Sequence, residues 1–222
     1  MELLSSNKTG CEPSQSVPNR LLEAAEQLFC ECGFDETGVR KIAALADCNL
    51  AAVNYYFGGK DKLYIEVWRR HLHIMRERIM TSIERVISEN AKETYLDDLL
   101  RSFAAAFLEP IKDKSKAYRL IKLMDHEMVE PHLPKNMFLE EMIIPTFNAM
   151  QNALAKIFPG LDKSKVPFLL FSIIGQLVHL IRVQTLFDQS YPIQLPGFGL
   201  DEAVNHIVKF SAAGIRAYAE EK

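Results

Sequence analysis

Asn54, Tyr55, Tyr56 and Lys60 fall within seven residues of each other, in a stretch otherwise built of small and apolar side chains. A side-chain amide that donates and accepts can read an adenine edge, and leucine or alanine can meet a thymine methyl. Tyrosine hydroxyls and a lysine ammonium suit phosphate oxygens, which position a protein on a duplex without reading its sequence. This is recognition chemistry, not bond-breaking chemistry. The patterns an enzyme needs are missing. His126-Glu127 lacks the second histidine of H-E-x-x-H, because Glu130 stands there. No Glu-x-x-His pair is present for a di-iron bundle site. His71 and His73, two apart, face different sides of a helix. Cys11, Cys30, Cys32 and Cys48 include no C-x-x-C pair, which leaves idle thiols in a reducing cytosol or a redox sensor, and no zinc site. No catalytic residue, cofactor or metal ligand is assigned.

Contact residues of this kind need elements to hold them. Thr37–Lys60, TGVRKIAALADCNLAAVNYYFGGK, reads as two short helices and a tight turn. The first spans about Val39–Ala46, with Val39, Ile42, Ala43 and Ala46 at helical spacing. Asp47-Cys48 make the turn, Asn49 can cap the second helix, and Leu50–Phe57 ends at Gly58-Gly59. Val53 and Phe57 should point inward. Leu50, Ala51 and Asn54 then face outward, Tyr55 and Tyr56 flank them, and Ala51 with Ala52 lets the helix approach base edges. That is the layout of a helix-turn-helix. Periodicity alone equally fits a plain helical hairpin inside a larger bundle.

Residues 17–65 resemble the DNA-binding domain of the TetR family of bacterial transcriptional regulators, through LLEAAEQLFCECGFDETGVRKIA and then NYYFGGKDKLY. The resemblance implies that Thr37 caps the first motif helix and that Tyr55, Tyr56 and Phe57 close the recognition helix, with Lys60 after it. The DNA-facing set is then Thr37, Val39, Arg40, Asn49, Leu50, Ala51, Ala52, Asn54, Tyr55, Tyr56 and Lys60. Three positions depart from the family pattern. Asp47 stands where glycine is usual, Asn54 where tyrosine is frequent, and Gly38 where threonine is common. MDHEMVEPHLP and FSIIGQLVHL are further similar to the subgroup typified by the CecR regulator.

The 222 residues, 48% hydrophobic and 25% charged, suit one small and one larger globular domain. A net charge of −3 and an isoelectric point near 6.1 give no bulk attraction to nucleic acid. Locally, Arg40, Lys41 and Lys60 outnumber Asp47, so DNA binding should rest on a few placed contacts. The expected division is a disordered tail over 1–16, the helix-turn-helix domain over 17–62 and a helical domain over 63–222. Helices are expected at Val17–Cys32, Lys60–Ser88, Tyr95–Leu108, Lys116–Val129, Lys135–Phe158, Lys163–Phe187 and Leu200–Glu220, giving nine in all and an all-α fold. Pro145 should kink or split its helix. Phe168–Val183 is read as a core helix, too short and polar to span a bilayer.

Two further sites are expected in the larger domain. Ser172, Gly175 and His179 share one helical face, as do Ala213, Gly214 and Ala217; these small residues suit a four-helix dimer interface or close packing within one subunit. A cluster of methionines and phenylalanines marks either a solid core or an adaptable apolar cavity. The family resemblance favours the cavity. The residues assigned to it are Trp68, His71, Met75, Phe103, Phe107, Met124, His126, Glu127, Phe147, Met150 and Gln176. Together these expectations describe a cytoplasmic homodimer that binds a palindromic double-stranded DNA operator, has no membrane partner, and is released by a small, mostly apolar effector.

Overall fold

The computed structural model describes residues 16–89, 95–112, 114–190 and 199–220, and among them every regular element is helical. The α-helices are α1 Val17–Cys32, α2 Val39–Leu45, α3 Ala51–Phe57, α4 Lys60–Glu89, α5 Tyr95–Leu108, α6 Lys114–Val129, α7 Ile144–Ile157, α8 Val166–Ser190 and α9 Leu200–Glu220. Short 3-10 turns occupy Glu109–Lys112 and Lys163–Lys165, and a π turn occupies Leu139–Ile143. α1, α5 and α9 begin and end where the sequence places them. The tail expected over 1–16, and Cys11 with it, lies outside the described residues apart from Ser16.

The chain divides into two compact units, meeting in sequence at Val67 and Trp68. That is five residues later than the division drawn from sequence. The reason is that Leu63, Tyr64 and Val67, on the first turns of α4, are buried in the first unit. Its core joins them to Leu21, Ala25 and Phe29 of α1, Ile42 and Ala43 of α2, and Val53 of α3. Tyr64 meets Phe29 and Phe34 edge-on, with ring centroids 4.9 and 5.0 Å away.

Both turns that aim α3 follow from backbone conformation. After α2, Asp47 takes φ 49°, and the Cys48 and Asp47 N–H groups donate to the Ala43 and Ala44 carbonyls. This is a Schellman ending, with aspartate holding the left-handed position that glycine usually fills. Arg20 donates to the Asp47 carbonyl and to Cys48 Sγ, and the Cys48 thiol donates to the Ala46 carbonyl. The bond to sulfur is the largest influence pushing the Arg20 guanidinium above its ordinary value. After α3, Gly58 and Gly59 sit at φ 73° and 124° and turn the chain straight into α4. Gly33, by contrast, ends α1 at φ 78° and ψ 178°, outside the left-handed helical region, so this ending is not of the Schellman kind.

In the second unit α5 packs against α7, α8 and α9, and α8 packs against α9. Leu99, Leu100 and Phe103 of α5, Leu170 and Leu177 of α8, and Val208 and Ala212 of α9 are all buried. Arg216 pairs with Asp97 and Arg101 donates to Asn205, which ties α9 to α5 along its exposed edge. Asp162 accepts from the Ser164 hydroxyl and N–H ahead of α8, and these bonds hold its carboxyl below the ordinary aspartate range.

Residues Lys163–Val183, a longer stretch than the Phe168–Val183 segment read from sequence, are long and apolar enough to cross a membrane by length and composition alone, a test that a core helix also passes. Their apolar side chains are nonetheless divided among different surroundings. Leu170, Ile173 and Leu177 are buried, whereas Phe168 and Phe171 are exposed.

The left-handed turn gives a direct check. At position 47 a glycine avoids the Cβ clash and an alanine suffers it, so Asp47→Gly is expected to be more stable than Asp47→Ala by about 1 kcal/mol in thermal unfolding.

Candidate nucleic-acid interface and effector cavity

α3 is seven residues long and cannot hold its own shape in water. Val53 anchors it inside the first unit, and Asn49 Oδ1 accepts the Ala51 N–H at 2.9 Å to start it. Leu50 already has helical dihedrals, so the expected start and the observed one differ only by the fraying of the first residue. Leu50, Ala51, Asn54, Tyr55 and Tyr56 are exposed, Ala52 is half-buried, and Tyr55 is 81% exposed. The Tyr55 and Tyr56 rings pack edge to face at 4.9 Å, which limits their freedom without covering them. Arg40 is exposed and Val39 half-buried at the start of α2. An exposed amide among small side chains, next to two exposed phenols, is suited to a nucleic-acid groove, and an exposed guanidinium such as that of Arg40 suits a phosphate.

Two residues assigned to this surface have internal roles instead. Thr37 is 1% exposed, and its hydroxyl donates to the Gly33 carbonyl at 2.6 Å and the Leu28 carbonyl at 3.1 Å. It closes the end of α1 and does not cap α2, whose N-cap is Gly38 without a side-chain bond. Lys60 Nζ donates to the Phe34 carbonyl at 2.8 Å and stands 4.0 Å over the Phe34 ring. It clasps the turn after α1 rather than reaching outward. Sequence spacing could not reveal this, because both partners lie across a turn.

In the second unit a cavity of about 200 Å³ opens among α4, α5, α6, α7 and α8. Trp68, His71, Met75, Phe103, Phe107, Met124 and Phe147 line it, as the sequence reading assigned. His126, Glu127, Met150 and Gln176 do not. Met150 is fully buried in the solid core. Glu127 Oε1 accepts the His132 and Leu133 N–H groups and so shapes the loop after α6. Gln176 donates back to the Ser172 carbonyl of its own helix. The methionine cluster therefore splits: Met124 and Met142 line the cavity, Met137 joins Met150 as buried, and Met128 is exposed.

The sequence reading missed Thr146, Phe171, Ile174, Val178, Ile181 and Arg182 among the lining residues. A three- and four-residue periodicity was available for Ile174, Val178 and Ile181, but it marks a helix face without saying whether that face meets a cavity or a core.

The wall that contains Thr146 has an unusual backbone. Pro145 has no N–H to give the carbonyl four residues back, which belongs to Glu141. The turn before it relaxes into π geometry, and Ile144 donates to the Leu139 carbonyl. Arg76 of α4 supplies the missing donor, reaching the Glu141 carbonyl at 3.0 Å. Arg69 of the same helix bonds the Glu141 carboxylate at 3.2 Å. Pro145 thus splits its helix as expected, and α4 satisfies the acceptor that the proline leaves open.

Thermal unfolding of variants measures that link. Arg76→Ala is expected to lose about 1–2 kcal/mol by leaving the Glu141 carbonyl short of a donor. In a Pro145→Ala background, where residue 145 regains its N–H, the same change should cost visibly less.

Residues 21–67 match the profile described as bacterial regulatory proteins, tetR family, and residues 96–215 match that of the HTH-type transcriptional dual regulator CecR, C-terminal domain. The chain is 25% identical to the HTH-type transcriptional regulator YttP of Bacillus subtilis over 132 residues, covering 58% of this chain and 63% of that protein. It is 24% identical to the dual regulator CecR of Shigella flexneri over 169 residues, covering 74% and 75%. The chain thus spans less than two thirds of YttP. In fold it is similar to a TetR-family transcriptional regulator from Mesorhizobium loti, with TM-score 0.63, 16% identity and coverage of 90% and 95%. It is also similar to SmeT in its triclosan complex, with TM-score 0.58, 20% identity and coverage of 90% and 91%.

Proposed function

Because the chain belongs to the TetR family of bacterial transcriptional regulators, with a C-terminal domain of the CecR type, we propose that it is a cytoplasmic repressor that reads a palindromic operator as a homodimer and lets go when a small apolar effector binds. The observation that carries this reading is α3 itself: Val53 holds it from inside while Leu50, Ala51, Asn54, Tyr55 and Tyr56 stand in solvent. In the proposed complex Asn54 reads a base edge, Leu50 and the alanines meet thymine methyls, and Tyr55, Tyr56 and Arg40 hold phosphates. Val39, half-buried, and Asn49, the cap of α3, set the approach to the groove.

One recognition helix supplies too few contacts for specificity, so a second copy is needed about 34 Å away along the duplex. A face for that copy is present on α8 and α9. Ser172, Gly175, His179, Ala213 and Ala217 are exposed and Gly214 is half-buried. Phe168 and Phe210 beside them are 72% and 64% exposed. A side chain built at Gly175 or Gly214 would touch nothing within 4 Å in the protomer. Small residues there serve no packing inside one subunit, which supports close approach of a partner's helices as a four-helix bundle.

The effector site in this reading is the cavity of the second unit, whose wall includes Trp68, His71, Leu72, Met75 and Ile79 of α4. α4 is one unbroken helix from Lys60 to Glu89, so displacement of its cavity-facing turns is carried to its first turn without a flexible linker. An effector that prefers the released form about 100-fold shifts the balance by roughly 2.7 kcal/mol. SmeT, whose fold is similar, has been solved in complex with triclosan. That supports an effector of comparable character here.

Three measurements test the reading. Sequencing of genomic fragments retained by the pure protein should return a near-palindromic site, and failure to retain any duplex would end the proposal. On that site Asn54→Ala should cost about 1–3 kcal/mol at one base-pair position in each half, whereas Arg40→Ala should weaken all sequences alike and reduce the salt slope by about one per subunit. Gly175→Leu should leave the protomer folded by circular dichroism and convert the dimer to monomer in sedimentation. A dimer that tolerates it would exclude this face.

A further inference from the structure

We propose that Lys62, and not Lys60, is the lysine that holds a phosphate of the DNA backbone beside the base edge read by Asn54. This role rests on α3 being the element that enters the groove, and goes beyond that reading by assigning a contact residue outside the set expected from sequence.

The cations of the first unit, among the described residues, are Arg20, Arg40, Lys41, Lys60 and Lys62. Two of them are spent on carbonyls at turns. Arg20 donates to Asp47, and Lys60 donates to Phe34 at 2.8 Å while standing 4.0 Å over the Phe34 ring. Lys60 cannot reach a phosphate without giving up both contacts. Lys62 is exposed and makes no hydrogen bond or ion pair with any described residue.

Helix geometry decides where that free ammonium goes. Side chains on a helix lean toward its N-terminus. Lys62 stands in the first turn of α4, so it leans back over the turn that ends α3. Gly58, which closes α3, registers the result. A Cβ built there would lie 3.3 Å from both Lys62 Cδ and Lys62 Nζ, and 3.8 Å from Cε. The stem therefore lies along the turn, and the ammonium is delivered to the C-terminal end of α3. At the next residue, a Cβ on Gly59 would lie 3.9 Å from Asn54 Oδ1. The base-reading amide and the ammonium thus border the same two-residue turn.

A phosphate is the group this arrangement places within reach. At a rise of about 1.5 Å per residue the seven residues of α3 span roughly 10 Å, close to the ~12 Å width of the major groove. A charge at the end of such a helix stands beside a wall of phosphates. An ammonium on a flexible stem, with three rotatable donors, can follow a phosphate oxygen without discriminating between bases.

The test measures the affinity of the full chain against salt on two duplexes, one of mixed sequence and the genomic fragment that the protein retains. Lys62→Gln should lower the slope of log affinity against log salt by about one per subunit on both, leaving the preference between them and the melting temperature unchanged. Lys62→Arg should keep the wild-type slope. Lys60→Gln should do the reverse of Lys62→Gln: the melting temperature falls through the lost Phe34 contacts, and the slope, measured well below the transition, does not change. An unchanged slope in Lys62→Gln, or a slope lost only in Lys60→Gln, overturns the assignment while DNA binding stands. A changed preference between the two duplexes replaces the phosphate role with base reading and overturns it equally. If wild type binds neither duplex, the DNA reading fails and the role of Lys62 fails with it.

Discussion

Two turns of helix cannot persist in water, because too few backbone bonds form to offset the order they impose. α3 has only seven residues, yet it carries the groups suited to a base edge. That shortage explains much of the first unit. α1 and the first turns of α4 form a wall of Leu21, Ala25, Phe29, Leu63 and Tyr64, against which Ile42 and Val53 fix the two motif helices. Backbone positions with positive φ at Asp47, Gly58 and Gly59 set the directions between them. Polar residues close to the motif serve the same end. Thr37, Lys60 and Arg20 all donate to carbonyls at turns rather than pointing outward.

The second unit meets a different constraint. A proline inside a helix removes a donor, and the orphaned carbonyl of Glu141 must find another. It finds Arg76, so a local defect in the wall of the cavity becomes a bond between that wall and α4. Arg69, one heptad earlier, engages the carboxylate of the same residue. The outcome is a cavity whose least regular wall is fastened to the helix that also supplies Trp68, Leu72 and Met75. Motion of one is therefore felt by the other through named contacts.

α8 shows how one apolar sequence can serve several environments. Leu170, Ile173 and Leu177 lie inside the unit, Ile174, Val178 and Ile181 face the cavity, and Phe168 and Phe171 are exposed. A helix used on nearly every face reads as uniformly hydrophobic. This is why its composition alone resembles a membrane-crossing segment.

The sequence by itself determined the helices, the capping of α3 by Asn49, the tolerance of Asp47 for a left-handed turn, the split at Pro145 and the outward set from Leu50 to Tyr56. Each follows from residue type and from neighbours a few positions away, and such local rules survive translation into three dimensions. The tertiary structure decided what periodicity cannot carry. It turned Lys60 inward, because its acceptor lies 26 residues earlier in the chain, and it buried Thr37 against the end of α1. It sent Met150 to the core, the Glu127 carboxylate to the loop after α6 and Met124 to the cavity, although the sequence assigned all three to one pocket. It also left the Thr146 hydroxyl buried without a partner. A helical repeat states which residues share a face; only the packing of other helices decides whether that face meets a solid core, an open space or solvent.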